Sequence, residues 1–233
     1  MAINLRGAVT LLLPGTGSDE DYLRRVFAGP LEQEGAVVVA VPPRADDLIH
    51  GYRQALDEAA LAGPIIVGGV SIGAVVAVRW ALEHPDRVVA VLAVLPPWTG
   101  EPDSAPAALS ARHTAALLLR DGLVATTAAM RSSSPPWLAD ELTRSWYRQW
   151  PDLPDAMVEA AAYPGPTTAE LRRLATPMGV VAASDDLIHP MAVASEWASW
   201  APRAALRTVT LEQFGPEPAV LGAAGVAALK AID

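Results

Sequence analysis

Short, nearly uninterrupted apolar runs recur along the chain at Ala8–Leu13, Ala36–Val41, Ile65–Val70, Val88–Leu95, Met178–Ala182 and Leu206–Leu211. Each has the length of a strand, and continuous rather than alternating apolarity is the pattern of strands covered on both faces. Helix-like stretches of crossover length join the first four. One is opened by Ser18-Asp19-Glu20-Asp21, whose acidic residues suit the positive end of a helix, and runs to about Phe27; others span Asp46–Leu61 and Ile72–Glu83. Strand–helix–strand repetition predicts an α/β fold: a doubly wound, mostly parallel sheet with helices on both faces.

The alternation stops at Trp98. Through Thr176 no strand pattern is found; Pro- and Ser-rich breaks separate helical patches such as Ala107–Leu119, Leu138–Trp150 and Ala169–Leu174. The αβ pattern resumes at Met178, continues through a helix over Pro190–Trp200 and a strand over Leu206–Leu211, and ends with a helix over Pro218–Ala231. Residues 1–97 and 177–233 are therefore expected to form the core, and residues 98–176 a helical insertion.

Composition narrows the function classes. An apolar fraction of 52% with 18% charged residues excludes a disordered chain, and a net charge of −9 argues against nucleic acid as the main partner. The absence of cysteine removes disulfide scaffolds, thiolate catalysis and Cys-ligated metal. The longest nearly apolar stretch, Ile65–Val78, falls short of a membrane span and is interrupted by Gly68, Gly69, Ser71 and Gly73. A cytoplasmic protein is the default expectation, and a single lysine among 17 basic residues fits a GC-rich bacterial genome.

The chemistry concentrates in Gly69-Val70-Ser71-Ile72-Gly73, which ends a strand and opens a helix. This is the G-x-S-x-G nucleophile elbow in its confirming context. The sharp turn pushes Ser71 Oγ into a cleft, and side chains at positions 69 or 73 would meet neighbouring backbone. The helix from Ile72 aims its free amides at the same point. A glycine-rich turn carrying an exposed serine is the bland alternative.

At these residues the chain resembles the α/β-hydrolase superfamily over essentially its whole length, with a sheet shortened at the N-terminus. Pro14-Gly15-Thr16-Gly17 sits where that family places its oxyanion loop; Glu83-His84-Pro85-Asp86-Arg87-Val88 is similar to its link from elbow helix to next strand; the family's helical caps follow that strand, as residues 98–176 do here. Ala183–Pro190 resembles the segment carrying the catalytic acid and places it at Asp186, with Asp185 its rival. The resemblance implies ester, thioester or lactone hydrolysis by a Ser-His-Asp triad, without a cofactor. It also implies an oxyanion hole formed by the N–H groups of Thr16 and Ile72, with Gly15 beside the substrate.

One departure stands out. The family's histidine follows the last core strand, around Gln213–Pro216, and no histidine occurs after His189. His84 is expected behind the elbow helix, His50 on a surface or packing face, and His113 in the insertion. His189 leaves the same sheet edge as Ser71, three residues after Asp186, so a tight turn would let the carboxylate orient its imidazole. The readings left open are His189 as base, His113 as base, no histidine base, or His189 merely starting the helix at Pro190.

The chain has seven tryptophans and two phenylalanines. Trp98, Trp137 and Trp146 in the insertion, with Met130 and Met157, suit an apolar acyl pocket, though such residues also build helical cores. The expectation is a serine hydrolase acting on a small-molecule ester, thioester or lactone. A non-hydrolytic relative (a lyase or acyl-transfer catalyst) and a silent binding protein are the alternatives; oligomeric state is not read from the sequence.

Overall fold

The structure, a computed structural model, describes residues 3–232. Six strands form one sheet: β1 (Val9–Leu13), β2 (Val37–Ala40), β3 (Ile65–Val70), β4 (Val88–Val94), β5 (Met178–Ala183) and β6 (Ala204–Val209). Their order is β2-β1-β3-β4-β5-β6, and every neighbouring pair is parallel. This is the expected doubly wound α/β architecture. The chain steps outward from β1 to β2 and then returns to the other side of β1, so the winding reverses between β1 and β3. In open α/β sheets ligands bind beyond the carboxyl ends of the strands at such a switch point.

Strand pleating sends alternate side chains to opposite faces. Leu11, Leu13, Val67, Val91, Ala93, Val180 and Ala182 pack into one apolar layer, which is covered by α2 (Leu48–Ala59), α3 (Ile72–Glu83) and α8 (Met191–Trp200). Leu12, Ile66, Leu92, Val94, Val181 and Ala183 pack into the other, under α1 (Glu20–Gln33) and α10 (Ala219–Lys230). The expectation of two-sided burial holds for β3 and β5 and fails at the sheet edges. Val37 and Val39 of β2 are 51% and 40% exposed, and β6 is mostly half-buried or exposed. An edge strand lacks the flanking cover that a central strand receives.

Several boundaries differ from the sequence reading. Helix α1 is capped by Asp19, whose side chain accepts from Asp21 N and Tyr22 N, and it runs beyond Phe27 through Pro30 to Gln33. Pro30 leaves the Val26 carbonyl without its i+4 amide. Gly222 of α10 packs against that carbonyl so closely that a Cβ there would lie 2.9 Å from Val26 C. Another shift is at β6, which starts at Ala204 and ends at Val209. Thr210 then caps the short helix α9 (Leu211–Phe214) through a reciprocal pair with Gln213, taking Leu211 out of the strand.

Residues between β4 and β5 are helical: α4 (Pro106–Ser133), α5 (Pro136–Gln149), α6 (Leu153–Ala162) and α7 (Thr168–Leu171). Helix α4 extends beyond Leu119, and its helical geometry is broken at Gly122 (φ +79°). Ala115, Leu118, Leu123, Trp146, Leu153 and Met157 give this layer a small apolar core of its own. Glu159 of α6 accepts from Leu48 N (3.0 Å) and Ile49 N (3.2 Å), which ties the layer to the core by capping α2. Among the described residues no helix is long and apolar enough to cross a membrane.

Candidate active site

Ser71 joins β3 to α3 at φ +56°, ψ −119°, a strained conformation for a residue with a side chain. Its carbonyl accepts from Ala74 N (2.9 Å) and Val75 N (3.3 Å), starting the helix, while its own N–H donates to Val94 O (2.9 Å). Flanking glycines make the turn sterically feasible. A Cβ at Gly69 would lie 2.6 Å from Gly73 C, and one at Gly73 would lie 2.7 Å from Leu13 C and 2.9 Å from Pro14 O. These obstacles are backbone.

The loop after β1 packs directly on this elbow. Gly15 lies against Val70 O and the Ser71 side chain, where a Cβ would sit 3.3 and 3.4 Å from Val70 O and Ser71 Cβ. Ser18 N donates to Gly15 O (3.0 Å), closing a turn in which Gly17 adopts φ +72° and Thr16 stands at the corner. Among the described residues, the N–H groups of Thr16 and Ile72 donate to no other group. Both belong to segments that border Ser71.

His189 completes the arrangement. Its Nε2 lies 3.0 Å from Ser71 Oγ, and its Nδ1 lies 2.7 Å from Asp186 Oδ2. The other Asp186 oxygen accepts from Ile188 N (2.8 Å) and His189 N (3.2 Å), so the carboxylate fixes both the loop and the ring. Burial pushes the Asp186 carboxyl up. The hydrogen bond from His189, the electrostatic pull of that ring and the two backbone amides outweigh burial and hold it below the usual carboxylate range. An ionised carboxylate only accepts, which assigns the proton to Nδ1 and leaves Nε2 to accept from the Ser71 hydroxyl.

The remaining candidates fall elsewhere. Asp185 is exposed and accepts from Leu211 N (2.8 Å), joining the β5 and β6 loops rather than holding the imidazole. His84 ends α3, where its Nδ1 lies 3.0 Å from Trp80 O and its ring stacks on Trp80. His50 and His113 are exposed. In the Gln213–Pro216 stretch, Phe214 is buried, and Trp137 of α5 packs edge-on against it and over Gly215. Trp98 is buried, bonds Tyr163 O (3.2 Å) and covers Gly165; Trp146 covers Gly17 beside Met157. None of the three indoles hydrogen-bonds Ser71, Asp186 or His189.

A polar cluster escaped the sequence reading. Arg144 and Arg148 of α5 pair with Asp19, Glu20 and Asp21 at the start of α1, and Gln149 bonds Ser18 O. Its only sequence trace is the Asp19-Glu20-Asp21 run and the i,i+4 spacing of two arginines, more than a hundred residues apart.

A search among curated proteins finds no sequence match. Solved structures with a similar fold include a carboxylesterase from the ammonia-oxidizing thaumarchaeon Nitrososphaera gargenis (19% identity, TM-score 0.70, covering 88% of this chain and 82% of that one). A thermophilic esterase from Thermogutta terrifontis is similar (18% identity, TM-score 0.67, 88% and 82% covered), as is a hydrolase from Oleispira antarctica (15% identity, TM-score 0.67, 88% and 84% covered). At these identities the likeness is one of fold. The sequence model of the alpha/beta hydrolase family matches residues 4–219. With that match spanning nearly all of the sheet and the helical layer above it, the chain belongs to the alpha/beta hydrolase family of enzymes.

Proposed function

We propose that the chain is a serine hydrolase that cleaves a carboxylic ester, thioester or lactone with an apolar acyl part through an acyl-enzyme. The observation that carries this reading is the continuous hydrogen-bond line from Asp186 through His189 to Ser71 Oγ (2.7 and 3.0 Å) at the switch point of the sheet. The esterases among the structures of similar fold support it.

A serine hydroxyl becomes an effective nucleophile when a positioned base takes its proton. Ser71 Oγ attacks the carbonyl carbon as its proton passes to His189 Nε2, and Asp186 stabilises the imidazolium. The carbonyl oxygen, now an oxyanion, accepts from the Thr16 amide in the turn after β1 and from the Ile72 amide at the start of α3. Collapse breaks the bond to the leaving alkoxide or thiolate, which takes the proton from His189. Water then attacks the acyl-Ser71 carbonyl and gives its proton to His189. The second collapse releases the carboxylic acid and returns that proton to Ser71. Half-buried Trp137 on residues 98–176, acting as a cap, supplies apolar surface for the acyl chain, whereas buried Trp98 and Trp146 pack that layer.

The test pairs labelling with turnover. Wild-type protein is expected to be labelled by a fluorophosphonate and to hydrolyse p-nitrophenyl acyl esters, and Ser71→Ala to do neither while unfolding at an unchanged urea midpoint. Undiminished turnover by Ser71→Ala contradicts the reading. Product analysis with an added alcohol reports acyl transfer as a new ester, whereas hydrolysis yields only the acid.

A further inference from the structure

One face of α5 follows the segment Gly17–Asp21 residue by residue. Trp146 covers Gly17, and a Cβ at that glycine would lie 2.8 Å from the indole Nε1. Gln149 Nε2 donates to Ser18 O (3.0 Å) and to Ser145 Oγ (2.6 Å). Arg144 donates to Asp19 Oδ1 (3.0 Å) and pairs with Asp21, and Arg148 donates to Glu20 Oε1 (2.9 Å) and lies 3.5 Å from Asp19 Oδ2. Asp19 is 1% exposed and also caps α1, so its Oδ1 takes two amides and the Arg144 guanidinium while Oδ2 faces Arg148. Buried charge of this kind holds its geometry only while every partner is in place.

The segment held in this way is the far side of the Thr16 turn. Gly15 anchors one end against Ser71, and Ser18, whose N–H closes the turn, anchors the other. The direction of the Thr16 N–H is set by both ends. Only Gln149 grips the Ser18 carbonyl among the described residues.

Resting on the serine-hydrolase reading above, we infer that Gln149 is a positioning residue for catalysis: its hydrogen bond to Ser18 O, backed by the Arg144 and Arg148 pairs to Asp19 and Glu20, fixes the turn that aims the Thr16 amide at the oxyanion. Helix α5 is then a splint for the oxyanion loop as well as a cover for substrate. Such a residue acts on the transition state more than on ground-state binding, because the oxyanion forms only after attack.

The experiment compares wild type with Gln149→Leu, which keeps the bulk and loses the donor, and with Gln149→Glu, which keeps the shape and presents only acceptors to Ser18 O. Rates on a p-nitrophenyl ester are divided by active sites titrated with a fluorophosphonate, so loss of folded enzyme does not count. The inhibition constant of a trifluoromethyl ketone, which forms a tetrahedral adduct with an active serine, is measured in parallel. Expected for both variants is a kcat per titrated site lower by about 10-fold or more, KM within about twofold, and ketone affinity weakened by a similar factor. Arg112→Ala, which cuts a bond to Ala161 O within the helical layer, is expected to stay within about twofold. A wild-type kcat per site in both Gln149 variants overturns the inference, as does an equal loss in Arg112→Ala. Wild-type protein that neither labels nor turns over ester overturns the functional reading itself, a result distinct from either.

Discussion

His189 Nε2 lies 3.0 Å from Ser71 Oγ although 118 residues separate the two in sequence. The parallel sheet closes that gap. Ser71 follows β3, His189 lies in the loop after β5, and β4 alone stands between these strands, so both loops emerge on one edge. Asp186 sits in the same loop as the imidazole that it holds, which places carboxylate and imidazole three residues apart on one tight turn.

That compactness separates the two adjacent carboxylates. Asp186→Asn keeps the side chain's shape but offers an amide where Nδ1–H needs an acceptor, so kcat/KM is expected to fall by about 100-fold or more. Asp185→Asn alters only the contact to Leu211 N and is expected to stay within about threefold. Steady-state kinetics on one ester decides the matter, and a larger loss in Asp185→Asn reverses the assignment.

Acid should loosen the fold through the same carboxylate. The folded Asp186 pKa lies below its unfolded value of about 3.9, so at low pH the unfolded chain binds more protons. The stability from this group is full above the unfolded pKa and is lost as pH falls through the folded one. Asp21, held down against burial by Arg144 and Arg25, and Glu170, held down by the Thr167 amide, act in the same direction. Urea midpoints from pH 6 to pH 3 should fall in wild type and fall less in Asp186→Asn. Equal losses in the two proteins contradict the linkage.

Gly73→Ala tests the packing that permits the elbow. The added methyl would meet Leu13 C at 2.7 Å and Pro14 O at 2.9 Å, backbone atoms at the end of β1 that have no rotamer to change. Overpacking of this kind costs about 3 kcal/mol. Urea unfolding should show that loss, and a change under about 0.5 kcal/mol would mean that the β1 end yields freely.

Much of this architecture was legible because it is written locally. Gly69–Gly73 carries its own geometry, whereas Asp186 is placed by the resemblance, and His189 stays one of several readings because its approach to Ser71 depends on strand order. Edge exposure of β2 was not legible, because it depends on strand order rather than on the Val37–Ala40 sequence. The first helix is expected to end at about Phe27, yet α1 continues through Pro30, and Gly222 of a distant helix packs on the freed Val26 carbonyl. Leu211 reads as strand by apolarity, but the Thr210–Gln213 cap claims it for α9. The hold of α5 on Gly17–Asp21 joins residues more than a hundred positions apart, and only the folded chain brings their charges together.

In the proposed mechanism His189 does the work the family assigns to a histidine after the last strand, a place where this chain has buried Phe214. Measuring kcat/KM against pH for wild type, His189→Ala, His113→Ala and His50→Ala tests it most directly. A general base contributes roughly 10²–10⁴-fold, so His189→Ala is expected to lose about that much while the other two keep the wild-type rate and profile. A loss of less than about threefold in His189→Ala, or a larger loss in His113→Ala, would contradict the account.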